Sequence, residues 1–170
     1  MREHISSVIV KAVAENAADV GIGVVSAHGT DLEVLPYRSD RLALIVPAGH
    51  ELSVCASVAF ADALGFDWVG LHTGSAINLL LMRAAADVDG ALRMRMQVTS
   101  YDALSRMVAA GLGIGVMPEI VGRQYEASLG IRVVGIEDEW AVRELKICVR
   151  SYEGLASAAR LLVDGLRMGG

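Results

Sequence analysis

Lysine is almost missing from this sequence: of fifteen basic residues only Lys11 and Lys146 are lysine, the rest arginine. No lysine-rich stripe or basic tail is left to grip a phosphate backbone or an anionic membrane surface. Against twenty acidic residues the formal net charge is −5, so nucleic acid is repelled on average. The chain alone is therefore expected to lack specific DNA affinity. Cysteine is equally scarce, with Cys55 and Cys148 far apart, in no CxxC pair and among apolar or small neighbours, which points to two reduced core thiols. No stretch reaches the ~18 uninterrupted apolar residues that a bilayer-crossing helix needs. Nor does a basic start lead into an apolar run and a cleavage site. The expectation is a cytoplasmic chain with no membrane partner.

Catalytic and metal-binding patterns are missing too. His4, His28, His50 and His72 are more than twenty residues apart from one another and form no HxxxH, HExxH or Cys/His set, so no metal is expected. There is no P-loop or G-x-S-x-G elbow, and Ser26-Ala27-His28-Gly29 sets one Ser and His too close along the chain for a nucleophile and its base. An enzyme is not expected. Glu137-Asp138-Glu139 reads as a solvated turn. Gly111, Gly113 and Gly115 imitate a dinucleotide fingerprint, but that motif needs a strand before it and a helix after it, and here the order is reversed. Gly111 instead suits the left-handed residue that ends a helix, and no cofactor is expected.

What is present is 170 residues, 54% hydrophobic and 21% charged, with no repeat or low-complexity segment. That suffices for one compact unit or two small lobes. Apolar spacing from Glu3 to Glu15 gives a helix that Asn16 can end. Strands are expected at Val20 to Val25, Leu32 to Tyr37 and, after a turn at Ser39-Asp40, Leu42 to Val46. A short helix at Ser57 to Leu64 precedes a regular alternation: strand Asp67 to Leu71, a helix after Ser75 burying Ile77, Leu80, Leu81 and Ala84, strand Arg93 to Val98 and helix Tyr101 to Ala110. It continues with strand Ile114 to Met117, helix Pro118 to Ala127 and strand Ile131 to Val134. Strand Leu145 to Val149 and a helix at about Leu155 to Leu166, with Leu155, Leu162 and Leu166 on one face, close the chain. Such alternation means a mostly parallel sheet covered by helices.

Two helix starts carry the sharpest chemical signal. Thr99 and Ser100 precede the Tyr101 helix, with Asp102 three residues after Thr99, close to a capping box; Gly74-Ser75 precede the other helix in the same way. Helix starts carry unpaired N–H groups and a partial positive charge, so two of them on one sheet edge favour an anion between them. The same hydroxyls also suffice as plain caps, and these residues alone do not separate the two readings.

Taken in order, "VKAVAENAADVGIGVV", "YRSDRLALIVPAGHELS", "FADALGFDWV", the "TGS" helix start, "VTSYDALSRMVAAGLGIGVMP" and "RELKICVRS" resemble the effector-binding domain of LysR-type transcription regulators over nearly the whole chain. Glu51 stands where the family usually has proline. The resemblance implies an α/β, two-lobed fold like type 2 periplasmic binding proteins, with mostly parallel sheets and two crossing hinge strands, Leu42 to Val46 and Leu145 to Val149, lying side by side. It implies a first lobe of residues 1–46 and 144–170, a second of 47–143, and a small-molecule cleft between them. Carried over by position, the effector site comprises Thr73, Gly74, Ser75, Thr99 and Ser100 from the second lobe, Val24, Val25 and Ser26 from the first, and Pro47 from the first hinge. Val24, Val25 and Met117 suit an apolar wall and equally a core. The implied partner is a small effector, most simply an organic anion, held by a homodimer or tetramer. DNA would be bound only through a helix-turn-helix domain that this chain lacks, along with the start of the first lobe, and self-association through the Glu3 to Glu15 helix and bare sheet is expected. A transporter's solute-binding protein shares the fold and is the competing reading.

Overall fold

The structure, a computed structural model, describes residues 6–25 and 31–168. It divides into two compact units: Met1–Asp40 with Arg143–Gly170, and Arg41–Val142. The chain thus leaves the first unit ahead of Leu42 to Val46, not after it.

In unit 1, helix α1 (Ser6–Ala14) ends at Asn16, whose φ of 62° is the left-handed conformation that closes a helix. The helix start expected at Glu3 lies outside the described residues. Strand β1 (Val20–Gly23) pairs antiparallel with β8 (Val142–Val149), Gly21 opposite Cys148. Alternation along β8 sends Cys148 to one face, where Val13 and Ile9 of α1 cover it. Ile147 and Val149 go to the other face, against Val163 of helix α6 (Ser157–Met168). Burial pushes the Cys148 thiol above its ordinary pKa, in keeping with an inert core thiol. The α6 face differs from expectation: Val163 is the buried residue, Leu155 and Leu166 pack partly against it, and Leu162 is 55% exposed.

Arg150 fastens the end of α1. Its guanidinium donates to the carbonyl of Val13 (2.7 Å) in the last turn of the helix and to that of Ala18 (3.1 Å) in the segment leading to β1, tying the two together. Arg150→Ala is expected to lower stability by about 1–2 kcal/mol, read as a shifted urea midpoint at unchanged slope. An unchanged midpoint would show that water serves those carbonyls as well.

Strand β2 (Glu33–Pro47) runs unbroken through the expected turn at Ser39-Asp40. Extended pairing on either side of those two polar residues overrides their turn preference. Within unit 2, Leu42 to Ile45 pair with β6 (Gly115–Pro118) on one edge, and Ala43 to Pro47 with β7 (Ile131–Ile136) on the other, both antiparallel. Strands β2 and β8 are hydrogen-bonded neighbours in one sheet, as the two hinge strands are expected to be, although the edges of the Leu42 to Val46 segment itself are taken by β6 and β7. Its apolar run comes from being a central strand, with all five residues fully buried. Beyond β7 lies β3 (Ser57–Val58), parallel to it, followed by α2 (Phe60–Ala63), so the expected helix from Ser57 starts later. Asp138 of the acidic triplet accepts from the Phe60 N–H at 2.8 Å and Glu137 from the Ser57 hydroxyl at 2.9 Å, which gives that turn a structural part.

The alternating segment forms as its period requires. Strands β4 (Asp67–Leu71) and β5 (Arg93–Val98) are parallel neighbours, and a parallel bridge between Trp68 and Ile114 sets β4 beside the start of β6. Helices α3 (Ala76–Asp87), α4 (Tyr101–Ala109) and α5 (Glu119–Leu129) follow β4, β5 and β6 in turn. Taken with the antiparallel β1/β8, β2/β6 and β2/β7 pairs, the sheet arrangement is mixed.

Candidate functional site

Because β4, β5 and β6 run in one direction and each feeds a helix, all three helix starts lie at one edge of unit 2. That edge, beyond the carboxyl ends of parallel strands, is where α/β sheets bind ligands. Leu71 and Val98 are register partners at the ends of β4 and β5, so the loops carrying Thr73, Gly74 and Ser75 and carrying Thr99 and Ser100 emerge side by side. Leu42 pairs with Pro118, so the chain also enters unit 2 at this edge.

Ser75 is the N-cap of α3, its hydroxyl accepting from the Asn78 N–H at 3.0 Å; Ser100 caps α4, accepting from the Ala103 N–H at 3.2 Å. Each cap spends an oxygen lone pair and keeps its hydroxyl hydrogen for another acceptor. The N–H groups of Ala76, Ile77 and Asp102 precede the capped donors. Thr99 is not the cap: the capping-box reading was one residue out, and Asp102 turns instead to Arg106 Nε at 2.9 Å. The loop after β4 is tied to the end of β5 by the Thr73 hydroxyl, which donates to Gln97 Oε1 at 3.0 Å.

Gln97 and Asn78 were missed from sequence. Asn78 is 4% exposed, and among the described residues its Oδ1 accepts no hydrogen bond. It lies over Gly70, where an added Cβ would come within 3.1 Å of that oxygen. Gly70 is the register partner of Gln97, so only the pairing of β4 with β5 brings these amides to the same two strand ends.

The other expected site residues fare differently. Pro47 ends β2 opposite Ile131, and because β2 is antiparallel to β6 it lies at the opposite edge of unit 2, beside Asp67 and Arg93 at the starts of β4 and β5. Its assignment to the helix-start site is therefore corrected: a hinge placed at Leu42 to Val46 put Pro47 next to the crossing, but the crossing is at Asp40–Arg41. In unit 1, Val25 is consumed by the α1 core and Val24 is 46% exposed. Ser26 lies outside the described residues, as does the Ser26 to Gly29 stretch. Met117 is fully buried core. Among the described residues no group of three His, Cys, Asp or Glu side chains is placed to hold a metal ion, and no helix is long and apolar enough to cross a membrane.

The family model described as the LysR substrate binding domain matches residues 1–169. The chain belongs to that family. Among curated proteins it is 28% identical, over 139 residues, to an uncharacterized HTH-type transcriptional regulator of Methanocaldococcus jannaschii, covering 79% of this chain and 46% of the relative. It is 28% identical, over 156 residues, to a probable RuBisCO transcriptional regulator of Synechocystis, covering 86% and 45%. The chain thus spans about half the length of the curated relatives it matches. Similar solved structures include the effector binding domain of QuiR in complex with shikimate, with a TM-score of 0.81 at 19% identity over 98% of this chain and 78% of that one. Another is the Synechocystis CcmR regulatory domain in complex with 2-PG, with a TM-score of 0.84 at 18% identity over 97% and 79%. These likenesses establish a two-lobed effector-binding-domain fold.

Proposed function

We propose that this chain is the small-molecule-sensing part of a LysR-type transcription regulator, and that the starts of α3 and α4 hold the negative group of its effector, most simply a carboxylate. The carrying observation is the parallel pairing of β4 with β5, which sets two serine-capped helix starts side by side on one edge. Two positive helix ends with backbone N–H donors in their first turns would stabilise an anion there. The solved neighbours bound to shikimate and to 2-PG support a small-molecule site on this fold. The HTH-type regulators among the relatives favour this reading over transport. In the whole protein, effector binding would bias a homodimer or tetramer whose DNA contacts lie in a separate helix-turn-helix domain.

The test is a thermal-shift screen of small carboxylates followed by calorimetry on the best binder. Ser75→Ala and Ser100→Ala each remove one hydroxyl but leave the backbone donors, so each is expected to weaken binding by roughly 1–2 kcal/mol. Unchanged affinity in both variants would refute the assignment.

A further inference from the structure

The opposite edge of unit 2 carries a second feature that the helix-start site does not use: a cavity of about 310 Å³ at the starts of β4 and β5. One wall is charged. Asp67 receives Arg93 Nη2 at 3.1 Å on one carboxylate oxygen and Arg95 Nη1 at 2.9 Å on the other. A register shift opposite Trp68 and Val69 makes Arg95 the extra residue of a bulge, a device that re-aims side chains. The hydrogen bond from Arg95 is the largest of the influences holding the Asp67 carboxyl below the usual carboxylate range.

One guanidinium suffices to neutralise one carboxylate. The second leaves a surplus positive charge and unspent N–H donors at the cavity wall, with both arginine side chains more than 60% exposed. The remaining lining is apolar or aromatic. Phe66 meets the His50 ring edge-on at 4.6 Å, and His50 is itself fixed because its Nδ1 accepts from the Leu52 N–H. Leu112 forms an exposed rim, flanked by two glycines of positive φ that leave the backbone bare. A forked cation beside an aromatic wall matches a planar anion with an apolar body.

We infer that this cavity is a second ligand site, distinct from the helix starts, for a small carboxylic acid with an aromatic or aliphatic body: Arg95 and Arg93 take the carboxylate, and Phe66, His50 and Leu112 take the body. Phenylacetate titrated into the full chain is the probe, followed through backbone amide shifts. Shifts at Phe66, Leu112 and Gly113 are expected, with acetate and 2-phenylethanol at least about tenfold weaker, since each lacks half of the recognised group. Arg95→Gln should weaken phenylacetate about tenfold. Leu112→Glu, on a rim side chain that is 42% exposed, sets an acid beside the arginines and should abolish binding there. Shifts confined to residues 73–75 and 99–100 would overturn the inference. So would equal binding of 2-phenylethanol, or full affinity in folded Leu112→Glu, the variant that decides the matter should Arg95→Gln fail to fold.

Discussion

Gly113→Ala is expected to cost on the order of 3–5 kcal/mol and to loosen the seam inside unit 2. Gly113 has a φ of 154°, and a Cβ there would stand 2.6 Å from the Asp67 carbonyl oxygen and 3.0 Å from its carbon. Both are backbone atoms, so no side chain can swing aside. The approach cannot relax cheaply, because the next residue makes the bridge: Ile114 N–H donates to that same Asp67 carbonyl at 2.9 Å, and Ile114 O accepts from Val69 N–H at 2.8 Å. Gly111 is the internal control. Its φ of 78° is also left-handed, but nothing lies within 4 Å of its would-be Cβ, so Gly111→Ala should cost only about 1 kcal/mol of backbone strain. Urea unfolding of both variants checks this; equal losses would show that conformation rather than contact sets the cost.

The second large effect belongs to Asp40 and Arg143, 103 residues apart in sequence and paired through two hydrogen bonds, Nε to Oδ1 at 2.8 Å and Nη2 to Oδ2. They are the unit 1 residues at the two points where the chain passes between units. Their side chains are only 16% and 13% exposed. Removing one partner strands the other's charge in a mostly dry position. Asp40→Ala or Arg143→Ala is therefore expected to lose about 2–4 kcal/mol, at or just below the range for a fully buried pair. The double replacement Asp40→Leu with Arg143→Met should lose clearly less than the two single losses added together, because it leaves no orphaned charge. Additive losses in a denaturation series would mean that the pair contributes packing alone.

Much of unit 2 was legible because local chemistry and tertiary structure agree there. Strands β4 and β5 fall on their expected residues, Ser75 and Ser100 cap the helices that follow, and the φ of Gly111 ends α4 as its position suggested. Each of these rests on periodicity, hydroxyl capping or a left-handed glycine, all decided within a few residues along the chain. The family motifs carried the rest of the recognition, since "AADVGI", "VPAGHEL" and "VAAGLGIGVMP" are contiguous and need no folding to be read.

What the tertiary structure decided is what depends on partners distant in sequence. Ser39-Asp40 reads as a turn in isolation, yet it lies inside a fifteen-residue strand, with Asp40 held by Arg143. The apolar run Leu42 to Val46 shows a strand buried on both faces but not which strands flank it; β6 and β7 took both edges, which moved the crossing to Asp40–Arg41 and carried Pro47 to the far edge of the sheet. Gln97, Asn78 and the Asp67 arginine fork were invisible for the same reason. Sequence determines which face and which helix turn a residue occupies, through periods of 2 and 3.6, whereas strand order and direction, which decide what meets at a sheet edge, are settled only by long-range pairing.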